Sequence, residues 1–309
     1  MEKKEYTFKE ISNTSIAADV YYTKDSAKSK SPIALHYHGG NFVVGSKALL
    51  GEPHVKKLLE LGFVVVSANY RLCPTTTVYD GPVQDAFDAY NWARTILPDK
   101  LKADAGIEVD GTRIVTFGHS CGATLALLTA TLPPPPPPPL AILDLFGMKY
   151  LRDPAYSTPP ATPSNGPPLD PAFTHKIFAD IPPPSAGPSP VGPSGPDLSN
   201  YRVAWMLSQL RAGTLLATVV ADGDYERVDP AGAFGRAAFP PTCFVHGAAD
   251  ALVDCRFSVR AHEALRAAGV ETELVVVEGA AHGFDARAGP GDEEWGAVER
   301  GLEFLKAHV

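Results

Sequence analysis

The sequence predicts an α/β fold: a mostly parallel, eight-stranded sheet with helices on both faces and an inserted cap. Three observations carry this. Short apolar strand patterns alternate with helical ones along most of the chain. Phe63–Ala68 is a continuous run dominated by Val, as in a strand buried on both faces. From Gly147 to Phe239 the alternation breaks, and the first half of that segment, Pro154 to Pro196, is loaded with Pro, Gly and Ser.

In chain order, Tyr6–Phe8 and Ile16–Tyr22 alternate polar with apolar residues, as an antiparallel pair at a sheet edge would. Pro32–Tyr37 is the third strand and runs into the loop His38-Gly39-Gly40-Asn41-Phe42. Lys47–Leu61 reads as a helix stopped by Gly62, and Phe63–Ala68 as the fourth strand. Asp80–Leu97 reads as a helix with Pro98 beyond its end. Arg113–Phe117 is a strand, Ser120–Leu132 an Ala- and Leu-rich helix, and Leu140–Phe146 the sixth strand. Thr242–His246 and Glu271–Val277 complete the sheet, with helices over Arg256–Ala268 and Glu293–His308. Residues 1–146 and 240–309 are thus expected to form the core, and 147–239 a cap whose one clear helix is Asn200–Arg211. The proline run 133–139 can be neither helix nor strand and is expected to be a passive surface connector of polyproline type.

Composition narrows the function classes. The chain has 45% hydrophobic and 20% charged residues, as ordinary globular proteins do. Lys+Arg 27 against Asp+Glu 35 gives a net charge of -8 with no basic stretch, which argues against a nucleic-acid partner. No uninterrupted apolar run has the length of a membrane span, and the charged start Met1–Glu5 is unlike a signal peptide. A cytoplasmic location is expected. Cys73, Cys121, Cys243 and Cys255 show no CxxC or CxxH pairing, so reduced thiols are expected rather than disulfides or a zinc site. No cofactor or metal is called for. The expected partner is a small-molecule substrate; the last strand and helix are where a homodimer would form.

The chemistry-bearing residues lie at strand ends. Gly118-His119-Ser120-Cys121-Gly122 stands between a β-branched strand and an alanine-rich helix. A serine on such a turn has a strained backbone, which small neighbours at both glycine positions relieve, and its hydroxyl is lifted above the sheet. A serine needs a base, and His282 stands just past the last strand, ahead of the final helix. His36 is inside a strand, His54 and His262 are on helices and His308 is terminal. The imidazole needs a carboxylate; Asp250 follows the preceding strand in His246-Gly247-Ala248-Ala249-Asp250, with Asp254 as runner-up. Asp222 and Asp224 look like turn residues. Charge on a tetrahedral intermediate needs preplaced N–H donors, which Cys121 N–H and the His38–Phe42 loop can supply. The thiol of Cys121 is not expected to be a nucleophile.

Taken together, His38-Gly39-Gly40, Asn69-Tyr70-Arg71-Leu72, Gly118-His119-Ser120-Cys121-Gly122, His246-Gly247-x-x-Asp250 and His282-Gly283-Phe284 resemble the hormone-sensitive-lipase-like esterases. The set is also similar to α/β-hydrolases grouped with prolyl oligopeptidase and kynurenine formamidase. The resemblance runs through nearly the whole chain outside 147–239. It implies the α/β-hydrolase fold, Ser120 as nucleophile, Asp250 and His282 as its partners, and the N–H groups of Gly40, Asn41 and Cys121 as the oxyanion hole. Asn41 stands where the family often has a third small residue, Cys121 where alanine is usual, and His119 where many members carry an acid. Since the third strand begins near Pro32, a lid is expected from the inserted segment rather than from N-terminal helices.

The expected activity is cleavage of an ester, lactone or activated amide through an acyl-enzyme. Phe146, Tyr150 and Trp205, with Met148, Phe173 and Tyr201, are the candidates to line its substrate pocket. Two alternatives stand beside it. One is a biosynthetic enzyme of secondary metabolism that releases, transfers or cyclises a polyketide or peptide intermediate. The other is a non-catalytic binding protein on the same fold, which the presence of all three triad residue types disfavours.

Overall fold

Eight strands form one sheet in the order β1-β2-β4-β3-β5-β6-β7-β8. They are β1 (Glu2–Ile11), β2 (Thr14–Tyr22), β3 (Ser31–Tyr37), β4 (Val64–Ala68), β5 (Val109–His119), β6 (Ile142–Leu145), β7 (Thr242–Gly247) and β8 (Thr272–Val277). The structure is a computed structural model and describes residues 1–24, 30–132, 136–159, 169–192 and 195–309. β1 and β2 pair antiparallel, β2 joins β4 antiparallel, and every later pairing is parallel.

The sheet divides the core into two apolar layers. Ile33, Leu35, Tyr37, Val64 and Val66 point to one face, packing with Ala86, Ala89 and Leu125. Ala34, Val65, Val115, Phe117 and Leu143 point to the other, packing with Val55, Leu58, Trp295 and Leu302. Period-2 alternation puts neighbouring residues on opposite faces, so a strand apolar throughout is covered on both sides.

Helices differ from expectation where proline decides. Lys47–Leu61 is not one helix: a 3-10 turn, Lys47–Leu49, precedes α1 (Glu52–Glu60). Pro53 sits in the first turn of α1, where its missing N–H costs nothing; in mid-helix it would remove a bond. Asp80–Leu97 is likewise divided. A π-turn over Tyr79–Val83 leads into α2 (Gln84–Thr95), and Pro98 starts α3 (Leu97–Ala105) instead of closing α2. α4 (Cys121–Leu128) and its 3-10 extension end at Thr131. β6 is shorter than expected because Phe146 leaves extended geometry at φ 45°.

Between β6 and β7 the chain carries α5 (Pro171–Thr174), α6 (Tyr201–Ala212) and α7 (Leu215–Val219). Asn200 caps α6, accepting from Arg202 N, as Asn commonly does at a helix start. The expectations for residues 160–168 and 193–194 of the proline-rich half lie outside the described residues. So does that for 133–135; Pro136–Pro139 of the same run have no regular structure, and Pro137 O accepts from Tyr90 OH. α8 (Arg256–Ala267) and α9 (Glu293–Ala307) close the fold. Among the described residues no helix is long and apolar enough to cross a membrane.

Candidate active site

β5 delivers Ser120 onto a turn too tight for ordinary backbone. Ser120 has φ 53° and ψ −126°, a conformation that costs an L-residue about 1–3 kcal/mol. The turn closes only over glycines. A Cβ on Gly118 would stand 2.3 Å from the Gly122 backbone, and one on Gly122 2.2 Å from Tyr37 O. Ser120 N donates to Leu145 O at 2.9 Å, which fixes the turn against β6.

His282 and Asp250 come from the loops after β8 and β7. The two loops are stitched together by Ala248 N to Val277 O (2.9 Å) and Ala249 N to Ala280 O (3.0 Å). His282 Nδ1 lies 2.7 Å from Asp250 Oδ2. A proton held there leaves Nε2 with a bare lone pair, which is the form a general base requires. Asp254 turns away: it accepts from Arg256 N at 2.9 Å at the start of α8 and is half exposed. Asp222 accepts from Asp224 N in a turn. Among the described residues no hydrogen bond joins Ser120 Oγ to His282; such bonds often tighten only with substrate in place. Phe146, next to the Leu145 that accepts from Ser120 N, meets the His282 ring edge-on at 4.9 Å.

Asp250 is held as an anion. Burial alone would raise its pKa, but contacts from His246 and His282 and the Val253 N–H hold it well below the usual carboxylate range. Leu252 N and Val253 N both donate to its Oδ1 at 2.9 Å. Beneath it runs a buried network with a definite proton order. Lys149 Nζ donates to Ser258 Oγ at 2.9 Å, leaving the Ser258 proton for His246 Nδ1 at 2.7 Å. His246 Nε2–H then faces Val253 O (2.8 Å) and Asp250 Oδ2 (3.1 Å). Lys149 is itself fully buried and paired with Asp144 at 3.0 Å. Sequence reasoning gave none of these residues a role. The one visible signal was Lys149, a cation in the apolar run Phe146-Gly147-Met148-Lys149-Tyr150-Leu151.

The His38–Phe42 loop lies against the nucleophile turn: a Cβ on Gly39 would be 3.4 Å from Ser120 Cβ. Gly40, Asn41 and Phe42 have φ of 120°, 54° and 63°. Gly40 O accepts from Val43 N and Val44 N at 3.0 Å, so the loop folds back on itself. The Cys121 side chain is not idle. Its Sγ accepts from Phe42 N at 3.2 Å and lies 3.7 Å from the Tyr70 hydroxyl oxygen. Burial pushes the thiol up to about 11, against its reactivity as a nucleophile. All four cysteines are free.

Of the expected pocket residues, Phe146 is at the site. Trp205 is buried on α6 against Phe178, and its neighbour Met206 accepts from Asn41 Nδ2 at 3.6 Å. Tyr150 is elsewhere. It lines a cleft of about 630 Å³ with Leu128 and Thr131 at the opposite end of α4 from Ser120, under Arg260 at 3.9 Å. α6 is bound to the loop by a buried arginine: Arg202 Nε donates to Val43 O at 3.0 Å, Nη2 to Cys73 O at 2.5 Å, and Nη1 pairs with Asp180.

Residues 34–161 match the model of a family described by the α/β-hydrolase fold. The chain is similar to non-reducing polyketide synthases. It is 33% identical to mapC′ of Penicillium brevicompactum over 97% of this chain and 15% of that protein. It is 31% identical to ausA of Emericella nidulans over 94% of this chain and 13% of that protein. The chain therefore spans about one-seventh of the length of these curated relatives. Among solved structures, it is similar to a thermophilic esterase, Est2 of Thermogutta terrifontis, in its propionate-bound form. There the TM-score is 0.61 at 23% identity, over 98% of this chain and 92% of that one. The same esterase phosphorylated by paraoxon gives a TM-score of 0.62 at 22% identity, over 97% and 90%.

Proposed function

The chain is an α/β-hydrolase-fold protein, and from that premise we propose that it is a serine hydrolase acting on ester or thioester bonds through an acyl-enzyme. What supports this reading is the strained Ser120 at the end of β5 together with the His282–Asp250 pair held at 2.7 Å, whose imidazole meets Phe146, the residue after the Leu145 that accepts from Ser120 N. In the proposed reaction His282 Nε2 takes the Ser120 proton as Oγ attacks the carbonyl carbon. His282 then returns the proton to the leaving alcohol or thiol, and activates the water or hydroxyl that takes the acyl group off. Gly40 N–H, Asn41 N–H and Cys121 N–H are the proposed oxyanion donors.

The 147–239 segment acts in this reading as the lid, fastened to the oxyanion loop through Arg202. A second reading narrows the substrate. Likeness to polyketide synthases over nearly the whole chain favours release of a polyketide acyl group from a thioester, by hydrolysis, transfer or cyclisation. Turnover of short-chain p-nitrophenyl esters against acyl thioesters of N-acetylcysteamine tests both. The general reading expects ester turnover that Ser120→Ala abolishes; the narrower one expects the thioester to be preferred. A folded wild type that turns over neither substrate contradicts the proposal.

A further inference from the structure

Behind the Ser120 turn, on the α1/α9 face of the sheet, lies a second polar cluster that the reaction does not use. His119 Nε2 is 2.9 Å, and His54 Nε2 3.1 Å, from the same oxygen of Asp285. One candidate ligand atom from each of the three lies within 4.8 Å of the others. The residues come from separate elements: the end of β5, the interior of α1, and the 3-10 turn Phe284–Ala286. His54 is 3% and Asp285 5% exposed. Both ring nitrogens of His54 lack a hydrogen-bond partner, so Nε2 is near the carboxylate without being aligned to donate to it. A buried imidazole left this way is costly unless something satisfies it.

Counting protons shows what is missing. Ser67 Oγ donates to Lys47 O at 2.8 Å, so it accepts from His36 Nδ1–H at 2.9 Å. His36 Nε2 is then bare and accepts from His119 Nδ1–H at 2.9 Å. A neutral His119 therefore turns a bare Nε2 lone pair toward a carboxylate oxygen. That lone pair and the Asp285 oxygen then lie 2.9 Å apart with no proton between them; the His54 tautomer is fixed by no partner, so its Nε2 can turn a lone pair to the same point, and a cation there would satisfy all three groups. The Ser67–His36 chain is also the outer support that metal-bound histidines typically have: the remote ring N–H is donated to a fixed acceptor, which sets the tautomer.

We propose that His54, His119 and Asp285 form a binding site for a divalent cation of the zinc class. Two imidazoles and one carboxylate are a common donor set for zinc, with water at the fourth position, here at the solvent edge of His119. Metal–ligand bonds of about 2.0–2.2 Å put tetrahedral ligand atoms about 3.3 Å apart, so the two close contacts open by only a few tenths of an ångström. The ion does not touch the reacting atoms. His119 precedes Ser120 and Asp285 lies three residues after His282, so it would clamp the nucleophile turn to the loop carrying the base. The inference does not depend on the hydrolase reading.

The test uses the untagged full chain, stripped with a chelator and titrated with zinc by calorimetry, with cobalt as a spectroscopic stand-in. One equivalent of zinc is expected to bind and to raise the melting temperature. His54→Gln and Asp285→Asn should each weaken binding by about tenfold or more. Cobalt should give d–d bands without thiolate charge transfer. Absence of saturable zinc uptake by the wild type would overturn the proposal and leave a protonated His119 as the cation. So would uptake that persists unchanged in both variants, or a cobalt spectrum with thiolate ligation. Should Asp285→Asn fail to fold, the wild-type cobalt spectrum and His54→Gln decide.

Discussion

At the scale of single residues, the strain at Ser120 is offset by its glycine neighbours and by one backbone bond of its own. Gly118 and Gly122 remove the side chains that would collide with backbone, and the Ser120 N–H to Leu145 O bond holds the turn down. The same scale separates two aspartates four residues apart. Asp250 faces the His282 ring with two backbone N–H groups on its other oxygen, whereas Asp254 serves the start of α8. Asp250→Asn is therefore expected to lower ester kcat by about 10⁴, by presenting His282 with the wrong partner. Asp254→Asn should stay within about twofold of wild type, as surface changes usually do. Steady-state kinetics on the two variants checks this, and equal losses would contradict the assignment. The strand-end placement of Ser120, Asp250 and His282 was legible in the sequence because each follows a recognisable strand. Lys149 and Ser258 were not, because they meet across 109 residues, and His246 was not, because its role depends on how the loop between β7 and α8, with the start of α8, folds Asp250, Val253 and Ser258 around its ring.

At the scale of elements, proline and capping residues set helix limits that hydrophobic periodicity could not. Pro53 and Pro98 each start a helix, so reading Pro98 as a terminator hid α3. The existence of the strands was legible from β-branched and alternating runs, while their order in the sheet and the geometry linking α6 to the oxyanion loop were not. That link rests on one buried guanidinium reaching Val43 O and Cys73 O across more than 120 residues. Arg202→Met is expected to cost about 3–5 kcal/mol, because two buried carbonyls lose their charged donor and Asp180 keeps only the Tyr201 hydroxyl. Denaturant unfolding measures that cost, and hydrogen exchange should speed up at Val43 and Val44 before elsewhere in the core. A loss below about 1 kcal/mol would mean the lid helix is held by packing alone.

At the scale of the whole molecule, the chain buries charges and histidines whose protonation links stability to pH. His38 is fully buried and stacked on Tyr70, and burial lowers its pKa to about 4. The unfolded chain takes up that proton near pH 6.5 and the folded one does not until about pH 4. The stability linked to this group is therefore full above pH 6.5 and falls as the pH drops toward 4, by at most about 3 kcal/mol. Asp250 has a depressed folded pKa, so its contribution is full above about pH 4 and is lost below that. Melting temperature should fall in two stages on acidification, and Asp250→Asn should reduce the second, to which Asp285, held low against its burial by His119 and His54, also contributes. A melting temperature level from pH 7 to 4 would contradict the burial of neutral His38. Every proposed catalytic role depends on Ser120 being the nucleophile, and covalent labelling reads that most directly. Treated with a fluorophosphonate and weighed intact, the wild type is expected to gain one adduct that maps to the peptide containing Ser120, and Ser120→Ala none. A folded wild type that gains no adduct, or a Ser120→Ala variant that gains the same one, would contradict it.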